Sequence, residues 1–405
     1  MHHRHALLTG SVLATALLAP GTATADDTKT ITYRGYQLDV PATWEVLDLD
    51  HAPHACVRFD RHVVYLGHPD DDQHCPSTAV GKTDALVLEP VENAKPTTAV
   101  VTRLPSYVAR PTELPDTPDH EFAMVVSAAG VLVTASTGEN NDQIRRILDT
   151  GRITPEAQVS TTDAVARPRA AAPRAVVPGI YRGAGFDTCT APSSEAMRAW
   201  LGSPYRAIGI YIGGISRACS QRNLTADWVA EQIAQGWRLV PIYVGHQAPC
   251  TTYRNRIDPE LSGAQGRGAA DDAVVRATEL GLAPGTTIYN DMESYDSSNV
   301  ECREIVLTFL DNWTARVREL GFLSGVYSSV ATGVRALANA YDSPLLPDHI
   351  WLARWDNIPT TSDRAIPDHL WANRQRIKQY TGGHDETYNG VTINIDCDHL
   401  DVGGP

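Results

Sequence analysis

Two carboxylates, Asp291 and Glu293, close the strand-like run Gly285-Thr-Thr-Ile-Tyr-Asn-Asp-Met-Glu-Ser294. On a strand, side chains alternate faces, which sets Tyr289, Asp291 and Glu293 on one side and Asn290 and Met292 on the other. Positions i and i+2 lie roughly 6.5–7 Å apart. At about that separation two carboxyl groups can share one substrate, one giving a proton while the other supports charge. A solvated strand end with two surface acids would read the same way, so the surrounding elements have to decide.

After residue 178 apolar strand candidates alternate with amphipathic helices. The strands are expected at 181–187, 207–213, 239–245, 287–293, 324–328, 350–355, 377–380 and 393–396. Thr225 is placed to cap a helix over 226–235 that Gly236 stops, and Ile305, Val306, Phe309, Leu310, Trp313, Val317 and Leu320 recur at helical spacing before Gly321. Eight strands interleaved with helices predict an α/β fold, a (β/α)8 TIM-type barrel over 179–405. A doubly wound sheet is the alternative, but no G-x-G-x-x-G follows a strand.

In such a barrel the strand ends share one face, and the polar residues fall there. Asp187 ends the first strand, Asp291 and Glu293 the fourth, and Asn394-Ile-Asp396-Cys-Asp398 the last. These acids make Glu293, Asp291, Asp187 and Asp396 the candidate catalytic residues. Gln247, Tyr289, Arg354, Trp355, Gln379, Tyr380 and Asp398 are the candidate substrate-binding residues. Glu293 is expected deepest in the cleft, with the charge of Asp291 raising its pKa.

The remainder of the chain bounds the setting. Residues 1–25 read as a secretion signal: a polar start, an apolar run from Ala6 to Ala19 and the cleavage site Ala23-Thr-Ala25. No further run is long and apolar enough to span a bilayer. Residues 30–152 read as a small α+β domain, with Thr32–Val40, His62–Gly67 and Phe122–Ser127 as strands and a closing helix near Gly138–Leu148; 153–178 is an Ala/Pro-rich linker. A formal net charge of -14 argues against nucleic acid as a partner. In an oxidising setting the seven cysteines are expected to pair by loop adjacency as Cys56–Cys75, Cys189–Cys219 and Cys250–Cys302, leaving Cys397 buried and free. No cofactor motif is present. No metal site is expected: the His and Asp residues between 51 and 74 fit no standard spacing, and barrel-half histidines such as His384 lack a ligand partner at a useful spacing.

The segments Gly185-Phe-Asp-Thr-Cys-Thr-Ala-Pro-Ser193, Tyr211-Ile-Gly-Gly214, Pro241-Ile-Tyr-Val-Gly245 and Asp291-Met-Glu293 resemble the glycoside hydrolase-like barrel domain of secreted Gram-positive proteins. That domain is in turn similar to the family-25 glycoside hydrolases, the muramidases. The resemblance runs from about Val177 to the C-terminus. It implies a (β/α)8 fold, a cell-wall glycan such as peptidoglycan as partner, and Asp187, Asp291, Glu293 and Asp396 at the muramidase acid positions. Two functions are therefore expected: a secreted glycosidase, or a glycan-binding barrel using the same cleft without turnover.

Overall fold

The computed structural model describes residues 27–403, apart from 93, 95–100, 105–107, 109, 116, 139, 156–174 and 343–344. The expected signal segment and most of the expected linker lie outside the described residues.

Among the described residues, the N-terminal region holds nine strands and one helix. The stretch expected as one strand from Thr32 to Val40 is a hairpin. Arg34 and Gly35 adopt φ of 49° and 80°, and so reverse the chain between β1 (Thr28–Tyr33) and β2 (Tyr36–Pro41). There follow β3 (Glu45–Asp48), β4 (Val63–Leu66), β5 (Ala85–Pro90), β6 (Val101–Leu104), β7 (Glu121–Val126), β8 (Val131–Ser136), α1 (Asp142–Leu148) and β9 (Arg152–Ile153). Six strands form a mixed sheet in the order β3-β4-β5-β8-β7-β6, while β1, β2 and β9 form a second, smaller sheet. Ile144, Ile147 and Leu148 of α1 share an apolar cluster with Leu86, Phe122 and Val133 of the larger sheet and with Tyr36 and Leu38 of the smaller.

The C-terminal region is a closed barrel of eight strands. They are β10 (Tyr181–Asp187), β11 (Ala207–Gly213), β12 (Arg238–Tyr243), β13 (Thr287–Asp291), β14 (Leu323–Ser329), β15 (His349–Ala353), β16 (Gln375–Tyr388) and β17 (Val391–Val402). Helices follow the first five: α2 (Ser194–Ala199), α3 (Ala226–Ala234), α4 (Ser262–Glu279), α5 (Val300–Glu319) and α6 (Gly333–Asn339). Local sequence sets several of these ends. Thr225 accepts a hydrogen bond from the Trp228 N–H at the start of α3, and Gly236 takes φ +93° just past its end.

The (β/α)8 expectation is not met. Seven strands run parallel, but β17 is antiparallel to both β16 and β10, and no α-helix lies between β15 and β16 or between β16 and β17. The barrel is mixed because Asn389 and Gly390, at φ 49° and 83°, make a two-residue turn pairing Tyr388 with Val391. A parallel return needs a long crossover; an Asn-Gly hairpin does not.

Inside the barrel wall the strands are buried on both faces, while the far end of β16 and the start of β17 are partly exposed. Tyr211, Ile242, Tyr289, Trp351, Ile377 and Leu400 fill the barrel interior, while Ile208, Ile210, Leu239, Ile288, Val326 and Leu352 pack against the helices.

Candidate acidic site at the barrel mouth

The antiparallel β17 still brings its acids to the mouth. Its register sets Asp396 opposite Asp187 and Asp398 opposite Gly185, so both carboxylates enter from the middle of the strand rather than from a carboxyl end. All three aspartates are buried.

Gln379 ties Asp187 to Asp396. Its Nε2 donates to Asp187 Oδ2 at 3.0 Å and to Asp396 Oδ2 at 3.2 Å, while its Oε1 accepts from Tyr327 Oη and Trp355 Nε1, each at 3.0 Å. All four hydrogen-bonding positions of the amide are used. Tyr211 Oη donates to the other oxygen of Asp187 at 3.2 Å, and Trp351 Nε1 donates to Asp398 Oδ1 at 2.9 Å. Burial pushes Asp398 and Asp187 well above the usual carboxylate range. The charge of Asp187 adds to the rise of Asp398, and the two carboxyl groups share a hydrogen bond. Asp396 is raised to about 6, again by burial, against the opposing bond from Ser77.

The fourth-strand acids are held differently. The strand ends at Asp291, two residues short of Glu293. Gln247 bridges the chain beyond it, donating from Nε2 to the Asp291 carbonyl and accepting the Glu293 N–H at Oε1, both at 2.9 Å. Asp291 is the deeper of the two, 2% exposed, and its Oδ1 has no hydrogen-bond partner. Burial drives it well above the usual range, with the charges of Glu293 and Asp187 adding. Glu293 is half-buried and raised to about 7, first by burial; the Ser294 N–H opposes the rise and the charge of Asp396 supports it. Asp291 and Glu293 therefore act on one another, with Asp396 adding its charge at Glu293.

The other expected residues divide. Trp355 is 62% exposed beside the mouth, its ring lying over Gly382, where a Cβ would come within 2.9 Å of it. Tyr289 lies in the barrel interior, edge-on to Trp351 at 5.6 Å. Arg354 is engaged by Asp363 at 2.6 Å. Tyr380 packs against the outer, helix-side cluster and its hydroxyl hydrogen-bonds Cys397, so it does not face the mouth. The bridges Cys56–Cys75, Cys189–Cys219 and Cys250–Cys302 form, and Cys397 is free and buried.

Several residues at the site are not among those expected from the sequence. Tyr211 and Tyr327 stand near the ends of apolar strands and could have been found by extending the strand-end rule to tyrosines. Tyr253, in the loop after β12, feels Glu293 and Asp291; burial and those charges raise it to about 12. Ser77 gave no signal. It comes from the N-terminal region, donates to Asp396 Oδ1 at 2.8 Å, and its N–H donates to Asn394 Oδ1 at 2.7 Å. The approach requires glycine at 383, where a Cβ would lie 2.6 Å from Ser77 Oγ. Buried ion pairs anchor the same contact: Glu121 holds Lys82 at 3.2 Å and Arg217 at 2.9 Å, and Glu89 holds Arg222 at 3.0 Å.

A closed α/β barrel with buried acids from three strands converging at one mouth is the class that fold and site define. The Rv2525c-like, glycoside hydrolase-like domain matches residues 198–400, and the chain belongs to that family. The match takes in Asp291, Glu293, Asp396 and Asp398 and begins after Asp187. No curated protein matches the chain. Among solved structures, an uncharacterized B. stearothermophilus protein shares 16% identity over 54% of this chain and 95% of its own, with a TM-score of 0.35. The modular autolysin LytC from Streptococcus pneumoniae, one structure of which holds a synthetic peptidoglycan ligand, shares 11% identity over 54% of this chain, with a TM-score of 0.36. This chain covers 46% of that protein. Likenesses this slight carry no information about function. Among the described residues no helix is long and apolar enough to cross a membrane.

Proposed function

We propose that the barrel mouth is a glycosidase site acting on an amino-sugar polymer of the cell wall, such as peptidoglycan, in a secreted protein. One observation carries this reading. Glu293, half-buried and raised to about 7, keeps a proton near neutral pH beside the buried Asp291, whose Oδ1 is unsatisfied. Two buried carboxyl groups raised together hold one proton between them, and a pair in which one gives the proton while the other accepts is the division of labour that glycosidic cleavage requires.

Glu293 gives its proton to the glycosidic oxygen as the bond from that oxygen to the anomeric carbon breaks. Asp291 accepts the N–H of the substrate's 2-acetamido group, orienting the acetamido oxygen to bond the anomeric carbon and supporting the positive charge that develops. Water then adds at that carbon, the acetamido oxygen leaves, and Glu293 takes back a proton from the water. Asp187 and Asp396 act through position, fixing the floor of the site with Gln379, while the exposed Trp355 ring offers a stacking surface for a sugar.

A non-catalytic glycan-binding barrel is the second reading. It is favoured by the internal satisfaction of Asp187, Asp396 and Asp398, whose bonds to Gln379, Ser77 and Trp351 leave them little capacity for substrate. Incubating the mature protein with purified wall glycan and a chitooligosaccharide panel separates the two. New reducing ends support turnover, and retention on the glycan without them selects binding. Export is checked by N-terminal sequencing of secreted protein, expected to begin at Asp26.

A further inference from the structure

The outward face of the β16–β17 hairpin carries a second polar cluster that the acid site does not use. Cys397 Sγ lies 3.8 Å from both His384 Nε2 and Glu386 Oε1, and those two atoms are 3.0 Å apart. Tyr205 Oη donates to Glu386 Oε1 at 2.8 Å and lies 3.1 Å from Cys397 Sγ; Tyr388 Oη donates to Glu386 Oε2 at 2.8 Å. Both carboxylate oxygens are thus hydrogen-bonded, and the carboxylate is held in place.

The tautomer of His384 decides what the cluster can hold. Its Nδ1 is 2.9 Å from the Gly382 carbonyl oxygen, which only accepts, so Nδ1 carries the hydrogen. A protonated ring donates from Nε2 to Glu386 as an ion pair at 3.0 Å, whereas a neutral ring turns a lone pair at Nε2 toward the carboxylate oxygen, and the two repel. A positive centre between them removes the conflict. An Nδ1–H donated to a backbone carbonyl, with Nε2 free, is the arrangement that metal-binding histidines adopt. The separations of 3.0–3.8 Å also suit a tetrahedral ion: bonds of about 2.0–2.3 Å to N, O and S imply ligand–ligand edges of roughly 3.3–3.6 Å. Sulfur, imidazole and carboxylate together select a borderline-soft dication. The other close cysteine group, Cys56, Cys75 and Cys219, is consumed by disulfides, which leaves Cys397 as the available thiol.

We propose that His384, Glu386 and Cys397 bind one zinc ion, with water completing the tetrahedron on the half-buried His384 side, clasping the long hairpin whose opposite face presents Asp396 to the mouth. Binding releases the Cys397 thiol proton to solvent, since the thiolate is the ligand.

The test uses the full secreted chain with its disulfides intact, stripped with a chelator and dialysed against zinc or cobalt(II). The expected result is one zinc per chain by elemental analysis and, with cobalt, a near-ultraviolet sulfur-to-metal charge-transfer band with visible bands of tetrahedral intensity. Zinc should also slow alkylation of Cys397. Cys397→Ser should abolish the charge-transfer band, and His384→Gln should weaken zinc binding by at least about a hundredfold, while the exposed neighbour Asp385→Asn should keep wild-type affinity. A wild-type protein that takes up no stoichiometric zinc and gives no cobalt–thiolate band overturns the proposal. So does a Cys397→Ser variant with unchanged affinity.

Discussion

Two groups of acids meet at one mouth and are treated in opposite ways. Asp187, Asp396 and Asp398, from β10 and β17, are knit into Gln379, Ser77, Tyr211 and Trp351. Asp291 and Glu293, at the end of β13, are held by Gln247 through their backbone, and the Asp291 carboxylate keeps an unsatisfied oxygen. A carboxylate whose lone pairs are spent inside the protein is a structural element. One held by its main chain, with its side chain unspent, is free to act on something else. Exposure does not draw this distinction, since Asp291 is as buried as the saturated three.

The contrast breaks most sharply at Glu293. Glu293→Gln keeps the shape and removes the transferable proton, and release of reducing ends from wall glycan should fall by at least about a hundredfold. Retention of wild-type cleavage within a few-fold would mean that the β13 pair is not the working pair.

The saturated group should respond in stability. Asp398→Leu strips the acceptor from the buried Trp351 indole and the hydrogen-bond partner from Asp187, at an expected cost of about 2–4 kcal/mol. Asp398→Asn, neutral and able both to donate and to accept, should stay within about 1 kcal/mol of wild type. Urea unfolding at pH 7 measures both. An Asn variant as unstable as the Leu variant would show that Asp398 works as an anion.

The pH dependence sharpens the same division. Glu293 is raised from 4.5 to about 7 in the fold, so the native state binds more protons than the unfolded chain between those values. Its contribution is fully present below pH 4.5 and is lost as pH rises through 7. Wild type should therefore lose on the order of 2 kcal/mol relative to Glu293→Gln between pH 4.5 and 7.5. Cleavage should decline over the upper part of the same window as Glu293 gives up its proton. Parallel stability curves for the two proteins would contradict the raised Glu293.

The smallest effect is expected where the N-terminal region touches the mouth. Ser77→Ala removes one bond that favours ionised Asp396, so Asp396 should titrate above its value of about 6 with a stability loss of about 1 kcal/mol. Carboxyl-carbon NMR titration reads this directly; an unmoved Asp396 would mean that the contact is incidental.

What could be read in the sequence was local. Strand alternation set Tyr289 and Asp291 inward and Met292 outward, Thr225 and Gly236 marked the ends of α3, and loop adjacency paired six cysteines. Asn389-Gly390 was also a local signal, that of a two-residue hairpin between Tyr388 and Val391. That hairpin returns the last strand antiparallel, which a (β/α)8 barrel does not allow.

The rest depended on long-range pairing, which no short window of sequence contains. The antiparallel β17 sets Asp396 against Asp187, residues from opposite ends of the barrel sequence. Two register shifts in β16 bring His384 and Glu386 alongside Cys397, although nothing in their spacing pointed to the thiol. Ser77 reaches Asp396 only because the N-terminal region docks on the barrel through buried charges. Periodicity, caps and turns are fixed by neighbouring residues and can be read along the chain; register, docking and the sharing of protons among buried acids are settled only when distant segments exclude water together.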